Sequence, residues 1–142
     1  MNSTANEFSS MTTKLSTLWI FATLNYLYAD VVTTMDKNVV VNLSQLSLLG
    51  AAVLVETAIA MVLLSRVLKY RANRWANIIV GAINTIAVLA SLLVATPALY
   101  YAFFAIIEIA CTCVIVWYAW KWQKPEEGLT ADLHAVSKVA TR

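Results

Sequence analysis

Four apolar stretches, residues 15–35, 46–68, 75–95 and 98–120, occupy most of this chain. Each is close to the ~20 residues a helix needs to cross a ~30 Å hydrocarbon core at ~1.5 Å per residue. In lipid no water is at hand for unpaired backbone groups, so each stretch must form a helix that satisfies its own N–H and C=O groups. Composition supports this: 61% of the 142 residues are hydrophobic and 13% charged, with a mean hydropathy of +0.72. Soluble domains are about half apolar and a quarter charged, and could not hide so much apolar surface. The expected fold is an all-α integral membrane protein, an antiparallel bundle of four transmembrane helices.

The segments between the stretches set the domain plan. Residues 1–14 are rich in Ser, Thr and Asn without apolar periodicity and read as a flexible tail. The first stretch is too long for a signal peptide and no small-residue cleavage site follows it, so it is kept as a helix. The transmembrane domain is expected over 15–122. The unbroken apolar run from Trp75 to Ile107 divides at Thr96-Pro97, where Thr as N-cap and Pro at the first helical position mark a new helix. Residues 123–142 form a polar C-terminal tail that can place Leu129, Leu133, Val136 and Ala140 on one side of a short amphipathic helix.

Orientation follows from the basic residues. Lys14, the cluster Arg66, Lys69, Arg71 and Arg74, and then Lys121 and Lys124 all fall on one side of a chain that crosses four times, leaving Lys37 opposite. The positive-inside rule then puts both termini in the cytoplasm. Trp75, Trp117, Trp120 and Trp122 would lie at the inner interface, and Tyr100 and Tyr101 near the outer one.

Several functions are disfavoured. A net charge of +2, with basic residues at the ends of apolar runs, gives no footprint for nucleic acid. Cys111 and Cys113 lack the Cys-x-x-Cys spacing of a redox pair and read as packing residues. There is no phosphate-cradling Gly loop, no His pair for a metal and no Ser/His/Asp set, so neither an enzyme nor a cofactor is expected.

What remains is a layer of polar residues near mid-membrane. Asn25, Glu56, Asn84 and Glu108 each stand about ten residues from an end of their stretch, which is roughly 15 Å, and Asp30 lies ~7–8 Å further toward the far side. Three acids, Asp30, Glu56 and Glu108, thus lie deep inside stretches whose one basic residue, Arg66, stands two positions from the end of the second. An ionised acid at a helix centre costs about 2.5–3.5 kcal/mol on insertion scales, against a folding margin of roughly 5–15 kcal/mol. The acids therefore need a proton, a metal ion or a cationic ligand, and Asn25 and Asn84 can complete such a site because an amide both donates and accepts. The bland alternative is that protonated Glu56 and Glu108 only glue helices together, at about 0.6–2 kcal/mol each.

Helical spacing tests which groups can meet. Asn77, Gly81, Asn84, Val88 and Ser91 form a stripe of small and polar residues on the third stretch, suited to close helix approach. Ala52, Glu56 and Ala60 align on the second, and Tyr101, Ala105, Glu108 and Thr112 on the fourth, with Cys111 beside them. On the first, Tyr26 and Asp30 share a face while Asn25 lies about 140° away, so one of Asn25 and Asp30 is expected to look elsewhere, toward a second subunit or water. Asn77, near the inner end, reads as solvated.

The segments Lys14-Leu15-Ser16-Thr17-Leu18-Trp19-Ile20-Phe21 and Leu24-Asn25-Tyr26-Leu27-Tyr28-Ala29-Asp30 resemble a family of small bacterial four-span membrane proteins of unknown function, over most of the chain to about Lys124. The resemblance implies a bacterial inner-membrane location and no activity. More distantly, four spans with buried glutamates are similar to small multidrug transporters, but the acids are placed differently and no residue role carries over. The functional expectation is a proton, cation or cationic small molecule bound at Glu56 and Glu108, in a transporter or channel that acts as a homo-oligomer in the lipid bilayer. The alternatives are an amphiphile-binding or lipid-modifying protein, and a structural subunit of a membrane assembly.

Overall fold

The computed structural model describes residues 2–36, 44–94 and 98–122. Among them are four helices and no strand: α1 Asn2–Met35, α2 Gln45–Val67, α3 Tyr70–Val94 and α4 Leu99–Lys121. All four are long and apolar enough to cross a membrane. With 23, 25 and 23 residues, α2, α3 and α4 are roughly 35–38 Å long and match a hydrocarbon core with its edges. The 34 residues of α1 reach about 51 Å and overshoot it. Large apolar side chains cover the outside, with Leu63, Ile86, Leu93, Leu99 and Phe103 all more than half exposed. That outward apolar surface suits lipid.

Polar contacts between helices fix topology and register. On α3 and α4, Tyr70 donates to the Trp122 carbonyl (2.6 Å), the Thr85 and Thr112 hydroxyls pair (2.7 Å), and Ser91 pairs with Tyr101 (2.7 Å), so the two run antiparallel along their length. Trp19 reaches Asn77 and Tyr26 reaches Asn84, so α1 and α3 run parallel across the bundle diagonal. The principal neighbours of α1 are α2 and α4, and α3 packs chiefly on α4. The contact between α2 and α3 is slight. The result is an up-and-down four-helix ring.

Packing is tightest at the end that holds the α2–α3 link. The core there comprises Leu15, Trp19, Ala22, Ala58, Met61, Cys111, Ile115 and Trp122. A buried polar clamp joins three helices. The Trp19 indole N–H donates to Asn77 Oδ1 (2.7 Å), and the Ser65 hydroxyl reaches the same oxygen (3.3 Å). Asn77 Nδ2 donates to the Asn73 carbonyl (2.8 Å) and Oδ1 (2.6 Å), and Asn73 Nδ2 to the Ser65 carbonyl (2.6 Å). A network with every member paired rigidifies a core. At the same end, Ser16 donates to the Val62 carbonyl and accepts from Arg66 Nε at 2.9 Å each.

Five sequence expectations change. Residues 2–14 are not a tail separate from the first helix but its opening turns. Phe8 and Met11 pack on the core, Thr12 is buried, and the Phe8 ring lies 5.4 Å from that of Trp122. Asn77 is fully buried rather than solvated, because the bundle is closed by packing at its level. The face of α2 turned inward is Ala58, Met61 and Ser65, not Ala52, Glu56 and Ala60. Cys111 is buried, with its Sγ 3.4 Å from the Leu18 carbonyl, but Cys113 is exposed. α4 starts with Ala98 as its N-cap, not with Thr96 as the cap and Pro97 at the first helical position; Thr96 and Pro97 themselves lie outside the described residues. So do Lys37, Lys124 and the amphipathic helix expected through Leu129, Leu133, Val136 and Ala140.

Gly81 shows why the α3 stripe holds small residues. A Cβ at this position would stand 2.8 Å from Val116 Cγ2 and 3.6 Å from the Thr112 carbonyl, so its absence lets α3 close on α4.

Candidate functional site

The half of the bundle away from the α2–α3 link is looser, and the local sequence explains it. No residue of α2 before Ala58 is buried, and the facing segment of α3 offers Ala87, Val88 and Ser91, which are too small to fill the space. A cavity of about 190 Å³ results, with walls from all four helices. Its polar lining is Tyr26 and Asp30 from α1, Asn84 and Ser91 from α3, and Tyr101 and Glu108 from α4. Ala29, Ala51, Leu54 and Val55 supply much of the apolar wall. This volume suits about half a dozen waters or one small organic cation, and falls below the ~300–1,000 Å³ of sites for drug-sized ligands.

Among the described residues, Glu108 is the most enclosed acid. It stands nine residues after Leu99, near the middle of α4, and is only 6% exposed. Asn25 of α1 approaches it from the α1–α4 seam, donating Nδ2 to Glu108 Oε1 at 3.4 Å and to the Phe104 carbonyl at 3.3 Å. Both contacts are long, so the amide steadies the carboxyl without neutralising it. Asp30 lines the same cavity nearer the end with the α1–α2 connection, so two carboxyls share it. Among the described residues, no Lys, Arg or His belongs to the lining. On the cavity side, Tyr26 donates to Asn84 Oδ1 at 3.5 Å, and Asn84 Nδ2 is held by the Val80 carbonyl at 2.9 Å. The Asn84 oxygen thus keeps acceptor capacity.

Of the five expected site residues, Asp30, Asn84 and Glu108 share the cavity, and Asn25 touches Glu108 from outside it. Asn25 and Asp30 need not compete for one face, because Asn25 lies in a lateral groove with Phe21, Leu24, Tyr28 and Phe104 while Asp30 follows Tyr26 into the cavity. Glu56 is not brought to Glu108. It is exposed on α2 and takes no part in the lining. The basic cluster stays at the opposite end of the bundle. Arg66 is tied to Ser16 and Arg74 Nη2 to the Trp120 carbonyl (3.1 Å), while Lys69 and Arg71 are exposed. Cations at a helix C-terminus, such as Arg74 at the end of α4, also complement its dipole.

Sequence reasoning missed the hydroxyl pair Ser91–Tyr101 as cavity lining and the clamp around Trp19, Asn73 and Ser65. The recurrence of Asn at 73, 77 and 84 in helical steps was the available signal for the clamp. Among the described residues, no three His, Cys, Asp or Glu side chains converge as metal ligands would. Two carboxyls with an amide and phenol hydroxyls suit a proton or a weakly held cation better than a tightly bound transition metal.

No curated protein and no solved structure matches the chain. A family model described as a family of unknown function, DUF6326, matches residues 6–129, which takes in all the cavity residues and the clamp. On that match the chain belongs to the DUF6326 family.

Proposed function

We propose that this protein binds a proton or a small cation at Glu108 and Asp30, and moves it through the membrane as a transporter or channel. The observation that carries the reading is Glu108 itself: a carboxyl 6% exposed, beside a cavity with a second acid and, among the described residues, without a basic one. Removing such a group from water without a counter-charge is costly, so the neutralising species comes from outside the chain. Tyr26, Asn84, Ser91 and Tyr101 supply the oxygens that replace part of an entering ion's hydration shell. The volume favours a proton relayed through water, a partly hydrated inorganic cation or a compact ammonium over a bulky drug. By the positive-inside rule, the end bearing Arg66, Lys69, Arg71 and Arg74 faces the cytoplasm. Both termini are then cytoplasmic and the cavity lies in the outer half of a bacterial inner-membrane protein.

A second reading rests on the apolar wall. Ala29, Ala51, Leu54 and Val55 would suit the short chain of an amphiphile whose ammonium group lies at Glu108. Flux separates the two. Purified protein in vesicles loaded with a pH-sensitive dye is given an imposed gradient of protons, sodium, potassium or tetramethylammonium. The proposal expects a flux at least tenfold above empty vesicles, lost in Glu108→Gln and sharply lowered in Asp30→Asn. Fluxes equal to wild type in both variants reject it. Binding of a cationic amphiphile without flux favours the second reading.

A further inference from the structure

On α2 the acid that does not join the cavity sits on a face of its own. Glu56 is the central residue of the helix, eleven positions after Gln45 and eleven before Val67. Leu49, Ala52, Glu56, Ile59 and Leu63 are all exposed and follow one another in steps of three, four, three and four. At 100° per residue these five fall within about 80° of one another, on the side of α2 opposite Ala58, Met61 and Ser65. Alternating steps of three and four are the period at which two helices cross left-handed with side chains interlocked. Among the described residues, nothing in the protomer packs on this seam.

We propose that this seam is the contact between two copies of the chain, packed α2 against α2 about a twofold axis with the two Glu56 carboxyls paired at its centre. Two features point to a second copy rather than to lipid. Hydrocarbon offers neither donor nor acceptor, yet Glu56 makes no hydrogen bond or ion pair among the described residues and stands at the centre of a helix long and apolar enough to cross a membrane. A second copy brings the one chemistry that is complementary to a carboxyl by symmetry: a protonated acid both donates and accepts, so two of them satisfy each other reciprocally. The apolar positions to either side serve the same arrangement. Ala52, one turn before Glu56, lets the two backbones approach, while Leu49, Ile59 and Leu63 fill the flanks. A lone polar residue in an otherwise apolar heptad seam also fixes register, since any slip would leave both acids facing oil. The pairing is independent of the Glu108 cavity.

The test is cysteine cross-linking in native membranes, in a background where the exposed Cys113 is replaced by Ser. Ala52→Cys and Ile59→Cys, on the seam, should give disulfide-linked dimers on mild oxidation. Ile86→Cys, equally exposed but on α3, should stay monomeric. In the Ala52→Cys background, Glu56→Gln should still cross-link because its amide donates and accepts, whereas Glu56→Leu should lower dimer yield at limiting protein-to-lipid ratio about tenfold. Monomeric Ala52→Cys and Ile59→Cys, or cross-linking of Ile86→Cys as strong as theirs, would overturn the proposal, as would a Glu56→Leu protein that dimerises like the parent. Because Glu56 is exposed on the protomer, Glu56→Leu should keep the parent's helix content by circular dichroism, and the two cysteine positions report on the seam even if it does not.

Discussion

Replacing Asn77 by Ala tests whether the buried clamp holds the bundle together. The substitution removes the oxygen that accepts from Trp19 Nε1 at 2.7 Å and from Ser65 at 3.3 Å. The Ser65 hydroxyl can turn to the carbonyl one helical turn back, but the indole N–H has no such freedom. Trp19 is 0% exposed, so neither water nor a headgroup can replace the lost acceptor. An unsatisfied buried donor costs about 1–3 kcal/mol, and the truncated amide also leaves a small void, so Asn77→Ala should lose about 2–4 kcal/mol. Against a margin of roughly 5–15 kcal/mol that is a large share. Trp19→Phe removes the donor instead and should cost about 1–2 kcal/mol. In the double variant no orphaned N–H remains, so its loss should fall about 1 kcal/mol short of the sum. Unfolding in mixed micelles with a rising fraction of denaturing detergent, followed by circular dichroism, measures all three. The exposed Thr17→Ala, whose hydroxyl bonds only within α1, is the control and should stay within about 0.5 kcal/mol of the parent. If the two clamp variants are additive within about 0.5 kcal/mol, the Trp19–Asn77 bond contributes nothing and the reasoning fails.

Three further outcomes follow from packing. Gly81→Ala puts a Cβ 2.8 Å from Val116 Cγ2 and should cost about 1–3 kcal/mol in the same unfolding assay, while adding Val116→Ala should recover part of the loss; equal stability of the two would contradict the close approach. Phe8→Ala should destabilise by about 2 kcal/mol and expose the amides of residues 8–13 to hydrogen exchange, since this ring packs on Trp122 beyond the membrane core. Thr23→Val should raise stability by about 0.5–1 kcal/mol, because Thr23 Oγ1 is buried without a hydrogen-bond partner among the described residues.

The number, place and class of the helices were legible because lipid imposes length and apolarity on each span, and the stripes of α3 and α4 were legible because polar or small residues broke the apolar background at helical steps. Orientation of α2 was not. It is apolar all round, and its one central polar residue drew attention to Glu56, whereas packing selected Ala58, Met61 and Ser65. The first turns of α1 were hidden by composition: Ser, Thr and Asn dominate residues 2–13, yet Phe8, Thr12, Leu15, Trp19, Ala22 and Tyr26 already follow the steps of four and three that make its packed face. Depth alone misled at Asn77, where nearness to a helix end suggested water but the bundle is closed by neighbouring side chains. The cavity was half legible. Glu108, Asn84 and Asp30 stood out as polar groups in oil, but that Glu108 shares its cavity with Asp30 rather than Glu56 depends on how α2 is turned.

The central claim is that the Glu108 carboxyl takes its neutralising companion from outside the chain. Infrared difference spectroscopy of the reconstituted protein reads this most directly, by following the band of protonated carboxyls as sodium, potassium or tetramethylammonium is added at fixed pH. The account predicts that the cation removes a protonated-carboxyl signal in the parent and in Glu56→Gln, and that the change is absent in Glu108→Gln. A spectrum that ignores every cation tested and shows no exchange with heavy water at Glu108 would contradict it, leaving that acid a permanently protonated strut.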